Sequence, residues 1–219
     1  MYKRQNKFYP NVAKGIKTPK RKQQFKKQPL LPAQATALLS YYQDKALRDY
    51  AIITLLLRTG LRTIEVIRAN VEDLTFKSSQ RVLLIQGKGR DEKDNFVILT
   101  DKTYQPIAEY LSSRGKVNSS DPLFTSTSNN SKGERLTTRT ISYIAKEGLK
   151  AIGLDERSFT AHSLRHTTAV NILRGGGSLE QAQMTLRHSN PATTQIYTAT
   201  LNEERRLQNS GEALIDSLY

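Results

Sequence analysis

The chain has 219 residues, 37% hydrophobic and 25% charged, enough for one sizeable soluble domain with an appendage. Its 34 Lys and Arg against 20 Asp and Glu give a net charge of +14 and a pI near 10.0, a balance that favours a polyanionic partner, most simply nucleic acid, over a membrane surface. The lack of cysteine excludes disulfides, thiol nucleophiles and cysteine-ligated zinc, and with no long apolar run or signal-like segment the expected location is cytoplasmic.

Residues 1–30 carry ten Lys and Arg and no acid; the first acidic residue is Asp44. This block reads as a basic linker, with Lys14, Lys17, Lys20, Arg21 and Lys22 as candidate contacts to DNA phosphates. Pro32 opens a helix pattern through Tyr42. Asp44–Arg58 is the clearest helix, with Leu47, Tyr50, Ala51, Ile52, Ile53, Leu55 and Leu56 forming a wide apolar face, and Gly60 is placed to end it in a left-handed turn. A short helix is expected over Arg62–Ala69. Arg81–Gln86 and Asn95–Leu99 read as the strands of a hairpin, with Gly87-Lys88-Gly89 at its tip.

Asp101 is expected to cap a helix through Leu111, and Ser112–Arg135 reads as loop. Helices follow over Thr137–Leu154 and Thr160–Arg174, then from a Ser178 cap to Leu186. A short segment from Asn190-Pro191 carries Tyr197, and a last helix is expected over Glu203–Leu218. The fold class is therefore mainly α with one small antiparallel β-sheet, with residues 31–200 as the main domain and 201–219 as a C-terminal appendage.

The chemistry-bearing residues recur in an informative order. Arg62 follows Thr59-Gly60-Leu61; His162 and Arg165 are three apart, hence on one helix face; His188 precedes Tyr197 by nine residues. A phosphodiester transition state gathers negative charge on its non-bridging oxygens, and two guanidiniums clamp such oxygens while staying charged at any useful pH. A neutral imidazole can accept the nucleophile's proton, a second can donate to the phosphate, and a lysine on a mobile turn suits protonation of the leaving 5′-oxygen. A tyrosine, with a free pKa of about 10, needs such a base and positive field to attack near neutrality. His162 and His166 have the i,i+4 spacing of zinc helices, but Ser163 stands where a zinc-protease helix needs Glu, so no metal is expected.

These residues resemble the tyrosine recombinase/integrase family, the lambda-integrase or Xer-like proteins. Thr59-Gly60-Leu61-Arg62 with Glu65 resembles the first arginine box, Gly87-Lys88-Gly89 the hairpin lysine, and His162-Ser163-Leu164-Arg165-His166-Thr167 the second box. Leu186-Arg187-His188-Ser189 with Thr194-Gln195-Ile196-Tyr197 resembles the nucleophile box. The resemblance implies the catalytic-domain fold of that family, with Arg62, Lys88, His162, Arg165, His188 and the nucleophile Tyr197 as catalytic residues. Glu65 would support the site, and His166 would be structural.

It also implies DNA strand exchange through a 3′-phosphotyrosyl link without ATP, metal or other cofactor. Four protomers would act on two duplexes through a Holliday junction, in the service of a mobile element or a chromosome, with an accessory directionality factor a further expected partner. The last helix would dock on a neighbouring protomer or pack on its own domain. Two features depart from the family pattern. Arg187 replaces the usual glycine, and arginine does not take a positive φ cheaply, so an ordinary backbone or a slightly different turn is expected there. The segment before residue 31 is too short for the family's core-binding domain, which implies a catalytic-domain fragment or a natural short form. The alternatives of a type IB topoisomerase and an inactive DNA-binding factor stay open, although every expected catalytic position is filled.

Overall fold

The computed structural model describes residues 27–87, 89, 91–187, 192–216 and 218, with backbone alone at 192–196 and 208. The helices are α1 (Pro32–Gln43), α2 (Leu47–Thr59), α3 (Thr63–Arg68), α4 (Asp101–Ser113), α5 (Thr138–Ala151), α6 (Ala161–Arg174), α7 (Leu179–Leu186), α8 (Ala192–Gln208) and α9 (Gly211–Asp216). The strands are β1 (Leu74–Lys77), β2 (Gln80–Ile85) and β3 (Asn95–Ile98), joined as one antiparallel sheet in the order β1-β2-β3. The fold is mostly helical with a small antiparallel sheet, as the pattern of apolar residues implies.

Helix α2 is the axle. Ile52, Ile53, Leu55 and Leu56 are at most 1% exposed because α1, α4 and α6 cover it from several sides. Each such aliphatic side chain withdrawn from water contributes about 2 kcal/mol. A second, smaller core joins Ala169, Val170 and Leu173 of α6, Ala182 and Leu186 of α7, and Tyr197 and Leu201 of α8. It holds the C-terminal helices against the main body. The residues just before α1 are also anchored: Leu30 is fully buried and its N–H donates to Thr167 Oγ1 at 2.8 Å.

Several details differ from the sequence reading. The sheet has a third strand, β1, paired to β2 with Phe76 opposite Arg81 and Lys77 opposite Gln80. Its turn is Ser78-Ser79, with φ of 45° and 66°, so a two-residue hairpin closes without the Gly or Asn that normally announces one. Asp101 does not cap α4; Thr100 occupies that position, and the Asp101 carboxylate instead takes a 2.9 Å bond from Arg81. The expected helix over Glu203–Leu218 is split. Its first part belongs to α8, which starts at Ala192 and carries Tyr197, and α9 begins only at Gly211. The stripe on these last elements, Leu207, Leu214, Ile215 and Leu218, is at least 50% exposed.

Gly60 ends α2 with φ +61 and ψ 26 and returns its N–H to Leu56 O. A Cβ there would overlap Leu186 Cδ2, inside the second core. Gly60→Ala therefore combines left-handed strain with overpacking and should cost about 2–4 kcal/mol. A drop of about 5–10 °C in melting temperature, read by thermal denaturation, is the expected result. An unchanged midpoint would mean that the turn relaxes without cost.

Candidate active site

The turn that Gly60 makes possible delivers Arg62 to the head of α3. The Arg62 backbone N–H donates to Glu65 Oε2 at 2.7 Å, and its Nη1 donates to Glu65 Oε1 at 2.9 Å. Glu65 is nearly fully buried, whereas the Arg62 side chain keeps about a third of its surface exposed. One edge of the guanidinium is thus tied down while the rest faces outward.

Arg165, in the middle of α6, is 5% exposed. It donates to two main-chain carbonyls, those of Gly60 and Leu186, and so clips the α2–α3 turn to the end of α7. Burial lowers its basicity, the charges of Arg62 and Arg187 lower it further, and Glu65 opposes them. A guanidinium nonetheless stays protonated at neutral pH. These couplings place Arg62 and Arg165 in one electrostatic neighbourhood, although 103 positions separate them in the chain.

His162 is exposed in the first turn of α6. Its pKa is held below the usual histidine value, first by desolvation and then by Arg165, Arg62 and Lys27. The positive end of the helix acts in the same direction. The imidazole is therefore neutral at pH 7 and has an unprotonated nitrogen to offer as an acceptor.

Tyr197 lies on α8 and is 2% exposed. Its hydroxyl is 2.9 Å from His166 Nδ1, and the two rings lie 5.4 Å apart between centroids. Burial raises its pKa, while Arg165 and Arg62 pull it back. The phenol is accordingly protonated at neutral pH and tucked under α6. It shares a field with both arginines but is not open to a bulky substrate in this arrangement.

The structure thus gathers Arg62, Glu65, His162, Arg165 and Tyr197. Lys88 and His188 fall outside the described residues, as do Lys14, Lys17, Lys20, Arg21 and Lys22. Another lysine of the hairpin, Lys93, is held by the Asp73 carboxylate at 2.7 and 2.8 Å. Among the described residues no group of three His, Cys, Asp or Glu is arranged to hold a metal ion, and no helix is long and apolar enough to cross a membrane.

Two members differ from the sequence reading. His166, expected to be structural, touches the Tyr197 hydroxyl. Arg187 takes a left-handed backbone, φ 54 and ψ 46, where an ordinary backbone or a modified turn was expected. Its Nη2 lies 3.0 Å from Glu65 Oε2, and its Nη1 donates to Thr185 O at 2.7 Å.

The phage integrase family model matches residues 28–204, a span that contains every one of these side chains. The chain belongs to the phage integrase family. Among its relatives is a tyrosine recombinase XerC of Pelobacter propionicus, 35% identical over 196 residues that cover 86% of this chain and 60% of that protein. Another XerC, of Caldanaerobacter subterraneus subsp. tengcongensis, is 37% identical over 154 residues, covering 69% of this chain and 41% of that one. This member of the integrase family thus spans about two fifths to three fifths of the length of these curated relatives.

Its fold is also shared with solved structures. The XerA recombinase aligns with a TM-score of 0.66 and 30% identity, covering 83% of this chain and 65% of that one. The XerH site-specific recombinase, solved with a palindromic difH substrate after cleavage, aligns with a TM-score of 0.70 and 22% identity over 85% and 53% of the two chains. The architecture of this integrase-family chain is that of a tyrosine recombinase catalytic domain.

Proposed function

We propose that this chain is the catalytic part of a site-specific recombinase that cuts and rejoins double-stranded DNA. The observation that carries the reading is the convergence of a neutral imidazole and a tyrosine on the field of the same two guanidiniums, Arg62 and Arg165. Arg62 and Arg165 would clamp the non-bridging oxygens of the scissile phosphate. Glu65 holds Arg62 for that task. His162 would take the proton from the Tyr197 hydroxyl as its oxygen forms the new bond to phosphorus.

The bond from phosphorus to the 5′-oxygen breaks, and Lys88 would protonate that oxygen as it leaves; His188 would donate a hydrogen bond to the phosphate. One phosphodiester is exchanged for another, a 3′-phosphotyrosine and a free 5′-hydroxyl. The reverse attack by a 5′-hydroxyl closes the strand, so neither ATP nor a metal ion is needed. Because the Tyr197 hydroxyl starts buried beside His166, α8 has to shift before attack.

The XerH complex with its difH substrate supports a duplex partner. Four protomers on two duplexes are the proposed assembly, with an accessory directionality factor a further proposed partner. The exposed stripe of Leu207, Leu214, Ile215 and Leu218 is the surface we assign to contact with a neighbouring protomer. The same function fits a cytoplasmic protein of a mobile element.

The reading is tested by incubating the protein with nicked duplex DNA carrying a candidate site. Mass spectrometry should find a phosphotyrosyl adduct on the peptide containing Tyr197. An adduct on any other residue would overturn the proposed nucleophile.

The basic segment 1–26 makes a separate prediction. It carries Lys14, Lys17, Lys20, Arg21 and Lys22, and each phosphate it neutralises contributes about −0.9 to the slope of log K against log salt. Its removal should flatten that slope by about three or more in a fluorescence-anisotropy titration. An unaltered slope would take those residues off the DNA.

A further inference from the structure

Arg187 sits at the end of α7 with φ 54, a backbone region in which a side chain is strained and glycine is at ease. Its backbone N–H returns to Met184 O at 3.0 Å, so the helix end is satisfied in the ordinary way. What sets the residue apart is its side chain. The guanidinium is largely withdrawn from solvent and makes its ion pair with Glu65, which belongs to α3, 122 positions earlier.

Glu65 already has a partner in Arg62, at 2.9 Å through the guanidinium and 2.7 Å through the main chain. Two guanidiniums, those of Arg62 and Arg187, thus share the one carboxylate of Glu65. A carboxylate that paired with Arg62 alone would compete fully with an incoming phosphate for that guanidinium. A carboxylate that also pairs with Arg187 divides its charge, and the hold on Arg62 weakens.

We propose that Arg187 is a positioning residue for strand transfer: by pairing with Glu65 it leaves the outward edge of Arg62 available to the scissile phosphate. The strained backbone at the end of α7 is what carries the guanidinium back to α3. The inference rests on the strand-transfer reading of this site and adds to it a residue that acts through Glu65, without touching the phosphate.

The test uses the whole chain with Arg187→Gly, which keeps the left-handed backbone, Arg187→Gln, which keeps a polar side chain on a shorter stem but removes the charge, and Arg187→Lys, which keeps charge. Single-turnover adduct formation on nicked duplex, at saturating protein, should fall about tenfold in the Gly and Gln variants, with DNA affinity within threefold of the parent. The Lys variant should regain part of the rate. Combining Arg187→Gly with Glu65→Gln should lose no more than Glu65→Gln alone, because the two act in series.

A second arm needs no cleavage. Orthovanadate should bind the Gln variant about tenfold more weakly than the parent, read from vanadate-dependent thermal stabilisation. A parent protein that never forms the adduct defeats the strand-transfer reading, and the vanadate arm then decides the role of Arg187 by itself. Parent-like rate and vanadate affinity in Arg187→Gln, or losses that multiply in the double variant, overturn the proposal.

Discussion

Tyr197→Phe is expected to abolish the covalent adduct while leaving the fold and DNA binding in place. The substitution removes one oxygen and keeps the ring that packs with Ala169, Val170, Leu173, Ala182, Leu186 and Leu201. The structural loss is the hydrogen bond to His166 Nδ1 at 2.9 Å, worth about 1 kcal/mol, so the melting temperature should move by only a few degrees. The chemical loss is total, because no other atom of that side chain can form an ester with phosphorus. Gel shift and denaturing gel together make the measurement: retained complex, no covalent band. A covalent band of parental intensity in Tyr197→Phe would mean that another residue attacks.

Arg165→Lys should fail differently, losing both chemistry and stability. The guanidinium donates to the carbonyls of Gly60 and Leu186 at once, and a lysine ammonium on its flexible stem cannot span the two while also facing a phosphate. Adduct formation should fall by about 100- to 1000-fold, the range seen when one preorganised donor to a developing oxyanion is removed. Stability should fall by about 2–4 kcal/mol, since buried charge-assisted bonds are lost.

Arg62→Lys is the informative companion, because Arg62 is partly exposed and bonded on one edge to Glu65. It should lose rate at least as severely as any single clamp while melting close to the parent. Single-turnover cleavage and thermal denaturation on the same preparations separate the two cases. A folded Arg165→Lys protein cleaving within threefold of the parent would remove Arg165 from the phosphate.

The buried state of Tyr197 gives these experiments a kinetic meaning. Its hydroxyl is protonated, shielded and bonded to α6, so the proposed attack would require α8 to move relative to α6 and α7. That core is small, and α8 is followed by an exposed apolar stripe rather than by further packing. A partner surface that covers the stripe could supply the energy for the shift. In the assembly we propose, docking of a neighbouring protomer would thus be linked to activation by the exchange of one apolar contact for another.

Some of this was open to reading from residue order alone. The unbroken apolar face of α2 followed by Gly60, the two β-branched strands around Gly87-Lys88-Gly89, and the i,i+3 spacing of His162 and Arg165 are local signals, and the chain folds accordingly. The main elements followed from them. Strand β1 escaped because its turn is Ser-Ser at positive φ rather than a glycine turn. The extent of α8 escaped because its N-terminal half has no strong periodicity, and burial of Tyr197 and Leu201 against α6 and α7 sustains it.

Sequence by itself determined which functional groups are present, their order, and the net charge that calls for a polyanion, because these are properties of side-chain chemistry and near-neighbour spacing. Only the tertiary structure decided that Glu65 is shared by Arg62 and Arg187, that Arg165 spans two carbonyls, and that His166 holds the Tyr197 hydroxyl. Those pairings join residues up to 122 positions apart. They depend on how α3, α6, α7 and α8 close on one another, which is set by packing and not by any local run of residues.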